Sequence, residues 1–164
     1  MTAFEQLLLS VMKSEMVAYL KAHPEEFTSA VALGLSSRKP HAWRAVWALE
    51  EVIEPNDPRL SSFLPQIMAF LPVAADGHCR LWLMVLHHLE VPEQYQASLF
   101  DFCMQLWCNP HKQASLRYHA LQTMERLAAS YPELKQEIKA SMSDALLATL
   151  SKGILHSLRK RKLV

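Results

Sequence analysis

The sequence predicts an all-α fold, an α-α superhelix of about three to four antiparallel helix pairs. Three observations predict it. Four prolines, each followed by a charged residue, head amphipathic stretches at Pro24-Glu25, Pro58-Arg59, Pro92-Glu93 and Pro132-Glu133, at intervals of 34, 34 and 40 residues. Between them an arginine inside an apolar helical pattern recurs at Arg44, Arg80 and Arg117, at intervals of 36 and 37. Two interleaved series of nearly one period mean two helices per repeat. Finally, only three glycines occur in 164 residues. Hairpins and sharp loops draw on glycine for positive φ, so a β-rich fold is disfavoured.

Each element follows in order. Residues 3–21 put Phe4, Leu7, Leu8, Val11, Met12, Val17 and Leu20 near one face, within an N-terminal capping segment, 1–23, that stops before His23-Pro24. Pro24 fits a first helical turn, where a missing N–H costs nothing, and Phe27, Ala30, Val31 and Leu33 follow. After a turn at 36–40, a helix over 41–54 buries Val46, Leu49, Val52 and Ile53 and presents Glu50, Glu51 and Glu54 to solvent. Asn56-Asp57-Pro58 stops one helix and starts another, with Asp57 as N-cap. Helices are then predicted over 58–71 and 78–90, on either side of a turn at Ala75-Asp76-Gly77, and over 92–107 and 112–129, on either side of Asn109-Pro110. Pro132 opens a last long helix to about Leu150. Ser151-Lys152-Gly153 reads as a break before a basic tail, 151–164, ending in Leu158-Arg159-Lys160-Arg161-Lys162. Connections of about two to six residues make neighbouring helices antiparallel. No Gly- or Ser-rich linker divides the chain, so one domain over 1–164 is expected, with repeats over 24–150.

Composition narrows the function. A 51% hydrophobic, 20% charged chain is globular. A formal net charge of +1 supplies no field to gather nucleic acid or an anionic membrane. No apolar run approaches the roughly 20 residues that span a bilayer, and the N-terminus lacks the cationic start and small-residue cleavage site of a signal peptide. Cys79, Cys103 and Cys108 lie in apolar helical patterns and read as free thiols of a reducing compartment. A cytoplasmic protein is the expectation.

No cofactor or metal is expected. Cys103 and Cys108, five residues apart, diverge by about 140° on a helix, so with His111, His78 or Cys79 they do not converge as zinc ligands. His87 and His88 are adjacent and point in different directions. G-x-S-x-G, H-E-x-x-H and Gly-rich phosphate loops are absent, so no nucleophile-and-base arrangement can be assembled.

The stretch PEQYQASLFDFCMQLWCNPHKQASLRYHALQTMERL, residues 92–127, resembles a HEAT repeat. That family often opens a first helix with proline, turns through Asp or Asn followed by Pro, and continues into a second helix bearing Arg, then Ala, then Leu. Here those positions are Pro92, Asn109-Pro110, Arg117, Ala120 and Leu121. The unit at 58–90 matches more loosely through Arg80, and the unit at 24–54 through Arg44, Ala45, Ala48 and Leu49. The resemblance covers roughly 24–150 and implies that the second helices, 41–54, 78–90 and 112–129, line a concave surface. The aspartate that partners the arginine in a typical HEAT unit has no clear counterpart in these helices.

On that face Arg44, Trp47, Arg80, His87, Arg117 and Tyr118 form the candidate binding set. Cations beside flat π surfaces suit a peptide, a phosphate or a nucleic-acid backbone. The competing expectation is that the arginines cap or brace neighbouring helices and the tryptophans fill the core. Arg159, Lys160, Arg161 and Lys162 offer a phosphate contact or simply a solvated tail. The leading expectation of function is a non-enzymatic scaffold that binds a protein partner through its concave face. A second is a nucleic-acid-binding relative of the HEAT-like DNA alkylation repair glycosylases, which hold DNA in a basic, Trp-containing groove. Glu50, Glu51 and Glu54 oppose it, and that family's catalytic aspartate has no matched position here. A third is a homodimer through the apolar end helices 3–21 and 132–150.

Overall fold

The computed structural model describes residues 1–164, all helices and connections without a strand. The chain divides into two units, Met1–Glu90 and Val91–Val164, with no Gly- or Ser-rich linker at the boundary.

The first unit contains α1 (Ala3–Leu7), α2 (Lys13–Ala22), α3 (Phe27–Gly34), α4 (His41–Leu49), α5 (Pro58–Ser61), α6 (Leu64–Phe70) and α7 (Asp76–Leu86). Thr2 and Glu5 cap α1 reciprocally: the Thr2 hydroxyl accepts the Glu5 N–H at 3.2 Å, and the Glu5 carboxylate accepts the Thr2 N–H at 3.2 Å. The single helix expected over 3–21 is two, because the chain breaks after Leu7 and restarts where the Glu15 carboxylate accepts the Met12 N–H at 2.8 Å. The helix expected over 58–71 also breaks, at Ser62-Phe63. Pro65 has no N–H to give Ser61, and its ring crowds that carbonyl. Asp57 caps α5 as expected, accepting the Arg59 N–H at 3.1 Å. Its carboxylate also accepts from the Glu54 N–H and twice from the Arg59 guanidinium, at 2.9 and 2.6 Å. That guanidinium lies 3.8 Å from the Phe27 ring centroid.

Packing centres on α3, α4 and α7, through Phe27, Val31, Val46, Leu49 and Leu83. Gly34 closes α3 where only a hydrogen fits: a Cβ there would lie 2.7 Å from Val46 Cγ2 and 3.1 Å from Trp82 Cζ2. Its carbonyl accepts from Trp82 Nε1 at 3.2 Å and from His78 Nε2 at 2.8 Å, tying the end of α3 to α7.

The second unit contains α8 (Glu93–Cys108), α9 (Ala114–Leu127), α10 (Pro132–Ser141), α11 (Asp144–Leu147) and α12 (Lys152–Lys160). The α8–α9 pair follows the predicted turn, in which Asn109 Oδ1 accepts the His111 N–H at 2.9 Å. Leu99, Phe100, Cys103, Leu116, Leu121 and Met124 fill its core. The last helix, expected to run from 132 to 150, stops at Ser141 and restarts with Ser143 as N-cap, whose hydroxyl accepts the Leu146 N–H at 3.2 Å.

The C-terminal segment is not the tail the sequence suggested. Ser151 caps α12, and Ile154 and Leu158, at i and i+4, are buried while Arg159 and Lys160 face solvent. No helix is long and apolar enough to cross a membrane.

Candidate functional site

The three serial arginines meet different fates. Arg44, on α4, is half-buried; its Nε donates to the Leu8 carbonyl and its Nη2 to the Val11 carbonyl at 2.7 Å. These carbonyls lie in the break after α1, where a helix end leaves acceptors without intrahelical partners. Arg117, on α9, is only 2% exposed. Its Nε donates to the Trp107 carbonyl at 2.9 Å, and its two terminal nitrogens donate to the Thr149 carbonyl and hydroxyl at 3.4 and 3.0 Å. It thus ties the end of α8 to the segment after α11. Burial lowers its pKa, yet a guanidinium stays charged. Neither arginine has an aspartate partner, and the structure instead uses carbonyls.

Arg80 differs. It is half-buried on α7 and makes no hydrogen bond or ion pair within the chain. It lines a cleft of about 520 Å³ in the first unit, with Lys39, Trp43 and Trp47, over a floor of Ala75, Gly77, His78 and Leu81. Helical spacing of four residues stacks Trp43 beside Trp47 on α4, with ring centroids 5.7 Å apart and planes at 37°. Trp43 is 38% exposed. Trp47 is half-buried beneath Lys13, whose ammonium lies 5.0 Å from its ring centroid and pairs with Glu51 at 2.8 Å. The Trp43 ring lies 5.9 Å from the Arg44 guanidinium, which the helix break holds in place.

His78 forms part of the floor. Burial lowers its pKa, and because a carbonyl only accepts, its Nε2 carries the proton donated to Gly34. The floor is therefore uncharged near neutrality, and Lys39 and Arg80 are the charged groups of the lining. Gly77 adds open space, since a Cβ there would meet nothing within 4 Å.

Of the six expected residues, Trp47 and Arg80 come together in this cleft. His87 is the C-cap of α7 and lies outside its lining. Tyr118 belongs to the second unit, where its hydroxyl is 2.9 Å from Ser157 Oγ and its ring lies 5.4 Å from the Arg161 guanidinium, bracing α12. Lys39 was legible only as a turn residue, and His78 only as an unconvincing metal ligand. The one available signal was the position of Lys39 just before the helix that carries both tryptophans.

The family model of the HEAT repeat domain matches residues 6–163, running through both units. The chain belongs to the HEAT repeat family. No curated protein and no solved structure matched the chain in the corresponding comparisons. The match covers more of the chain than the 24–150 stretch that carried the resemblance. In this HEAT repeat protein, α4 and α9 are the second helices of the contacting pairs α3–α4 and α8–α9, α7 packs on α4, and each of the three carries one serial arginine.

Proposed function

We propose that this HEAT repeat protein is a non-enzymatic scaffold that binds a partner protein, and that Trp47 and Arg80 belong to the contact. HEAT repeats commonly serve as interaction surfaces, presenting extended faces rather than closed pockets. The observation that carries the reading is the contrast among the arginines: Arg44 and Arg117 are held by carbonyls, while Arg80 has no internal partner and shares its cleft with the exposed Trp43 and the half-buried Trp47. Tryptophan and arginine are the residues that most often dominate binding energy at protein interfaces. The family's architecture assigns the second helices, α4 and α7 among them, to the concave side.

The test is affinity capture at physiological salt with nuclease-treated extract, using wild type and a Trp43→Ala/Trp47→Ala variant. The proposal expects a protein retained by wild type and lost from the variant. Identical capture by both, or no protein at all, would overturn it.

Nucleic acid is the second reading, because unpaired cations beside tryptophan suit a phosphate with a stacked base. Two cationic contacts predict a log–log salt slope of only about 2, however, and the chain adds no global field. DNA binding that is absent at physiological salt, or that shows no salt dependence at all, excludes this alternative.

A further inference from the structure

We infer that the Trp43–Trp47 cleft takes an acidic segment of the partner protein, one carrying at least two carboxylates beside a proline or aromatic ring. The inference rests on the scaffold reading and adds the chemistry of what fills the site.

Charge complementarity sets the sign. Lys39 and Arg80 are the ionised groups of the lining, both positive, and no carboxylate lies among the lining residues. Neither cation has an ion-pair partner within the chain, so neither must give up a bond to receive an incoming carboxylate. Arginine presents a planar fork that suits a carboxylate, and lysine adds a second, mobile charge. His78 beneath them is neutral and does not compete.

The tryptophans set the second requirement. Two indoles tilted at 37° with centroids 5.7 Å apart offer flat apolar surface beside charge, which a proline or aromatic ring covers better than an extended polar chain.

A phosphodiester strand fits less well. Beyond Trp47 the next turn of the chain carries Glu50 and Glu51, which Lys13 contacts at 3.9 and 2.8 Å, so a continuous polyanion leaving the cleft meets carboxylates instead of more cations. A short acidic segment ends before that point.

The test uses the full chain and three fluorescent probes: a peptide with aspartates around a Trp-Pro core, the same peptide with lysines for aspartates, and a single-stranded oligonucleotide of equal charge. Anisotropy is read at about 50 and about 200 mM salt. The acidic peptide is expected to bind, with affinity falling about tenfold in Arg80→Glu and in Trp43→Ala. Arg80→Glu is also expected to gain affinity for the lysine peptide, which a merely unfolded variant would not do. Equal binding of both peptides, no loss in either variant, or tighter binding of the oligonucleotide would overturn the inference. If the acidic peptide fails while capture still depends on Trp43 and Trp47, the chemistry assigned here falls and the scaffold reading stands. If no protein depends on those tryptophans, the scaffold reading falls first.

Discussion

Replacing Arg117 with alanine would remove a guanidinium that is 2% exposed and holds the Trp107 carbonyl and both oxygens of Thr149. Orphaning the buried Trp107 carbonyl costs about 1–3 kcal/mol. Losing two buried methylenes of the arginine stem costs about 1–2 kcal/mol. Against these, the variant no longer desolvates a charge that has no carboxylate partner, which returns part of the loss. The net expectation is destabilisation by about 2–3 kcal/mol, a fall in Tm of roughly 4–12 °C for a chain of this size. Arg117→Met keeps the apolar stem and should lose about half as much. Circular dichroism would follow helix content, and tryptophan emission would report Trp107, whose carbonyl loses its donor. A Tm within about 1 °C of wild type for Arg117→Ala would refute the bracing role.

Three more outcomes follow from the packing. Gly34→Ala should destabilise by about 1–2 kcal/mol in urea unfolding: overpacking against Val46 and Trp82 outweighs the gain in helix propensity, and adding Val46→Ala should recover part of the loss. Asp57→Ala should cost about 1–2 kcal/mol at pH 7 through the lost cap. The Arg59 guanidinium holds the Asp57 carboxyl below its ordinary value of about 3.9, so its stabilisation is complete above that pH and is lost as pH falls through the lower folded value. The gap between wild type and Asp57→Ala should therefore close on acidification below about pH 4, and a constant gap would contradict the assignment. Leu158→Ala should destabilise the second unit by about 2–4 kcal/mol, whereas a mobile tail would tolerate it without change in unfolding midpoint.

The helix pairs and their phase were written in the proline and arginine series, because Pro at a first turn and an apolar 3.6-residue stripe are local signals. The breaks were less legible. Pro65 lies inside an apolar pattern that otherwise reads through it, and proline geometry was the clue. The break after Leu7 had no such local mark, since Leu7, Leu8, Val11 and Met12 continue the stripe. What stabilises it is Arg44, more than 30 residues away, which supplies donors to the freed carbonyls. The same holds for Arg117 and Thr149, 32 residues apart. A repeated arginine in a second helix is visible in sequence, but whether it caps a neighbour or faces outward depends on which carbonyls the tertiary packing leaves open nearby. The cleft shows this limit as well: Trp47 and Arg80 were legible as candidates, while His78 joins Trp47 only through the approach of α7 to α4.

If Arg44 and Arg117 brace the fold and Arg80 meets the partner, one set of variants separates the two roles. Arg44→Ala, Arg80→Ala and Arg117→Ala would each be scored for Tm and for retention of the captured partner at temperatures where all three remain folded. Arg80→Ala is expected to unfold within about 0.5 kcal/mol of wild type and to lose the partner, while Arg44→Ala and Arg117→Ala lose stability and keep it. An Arg80→Ala protein that is as destabilised as Arg117→Ala, or that captures the partner undiminished, would contradict this assignment of roles.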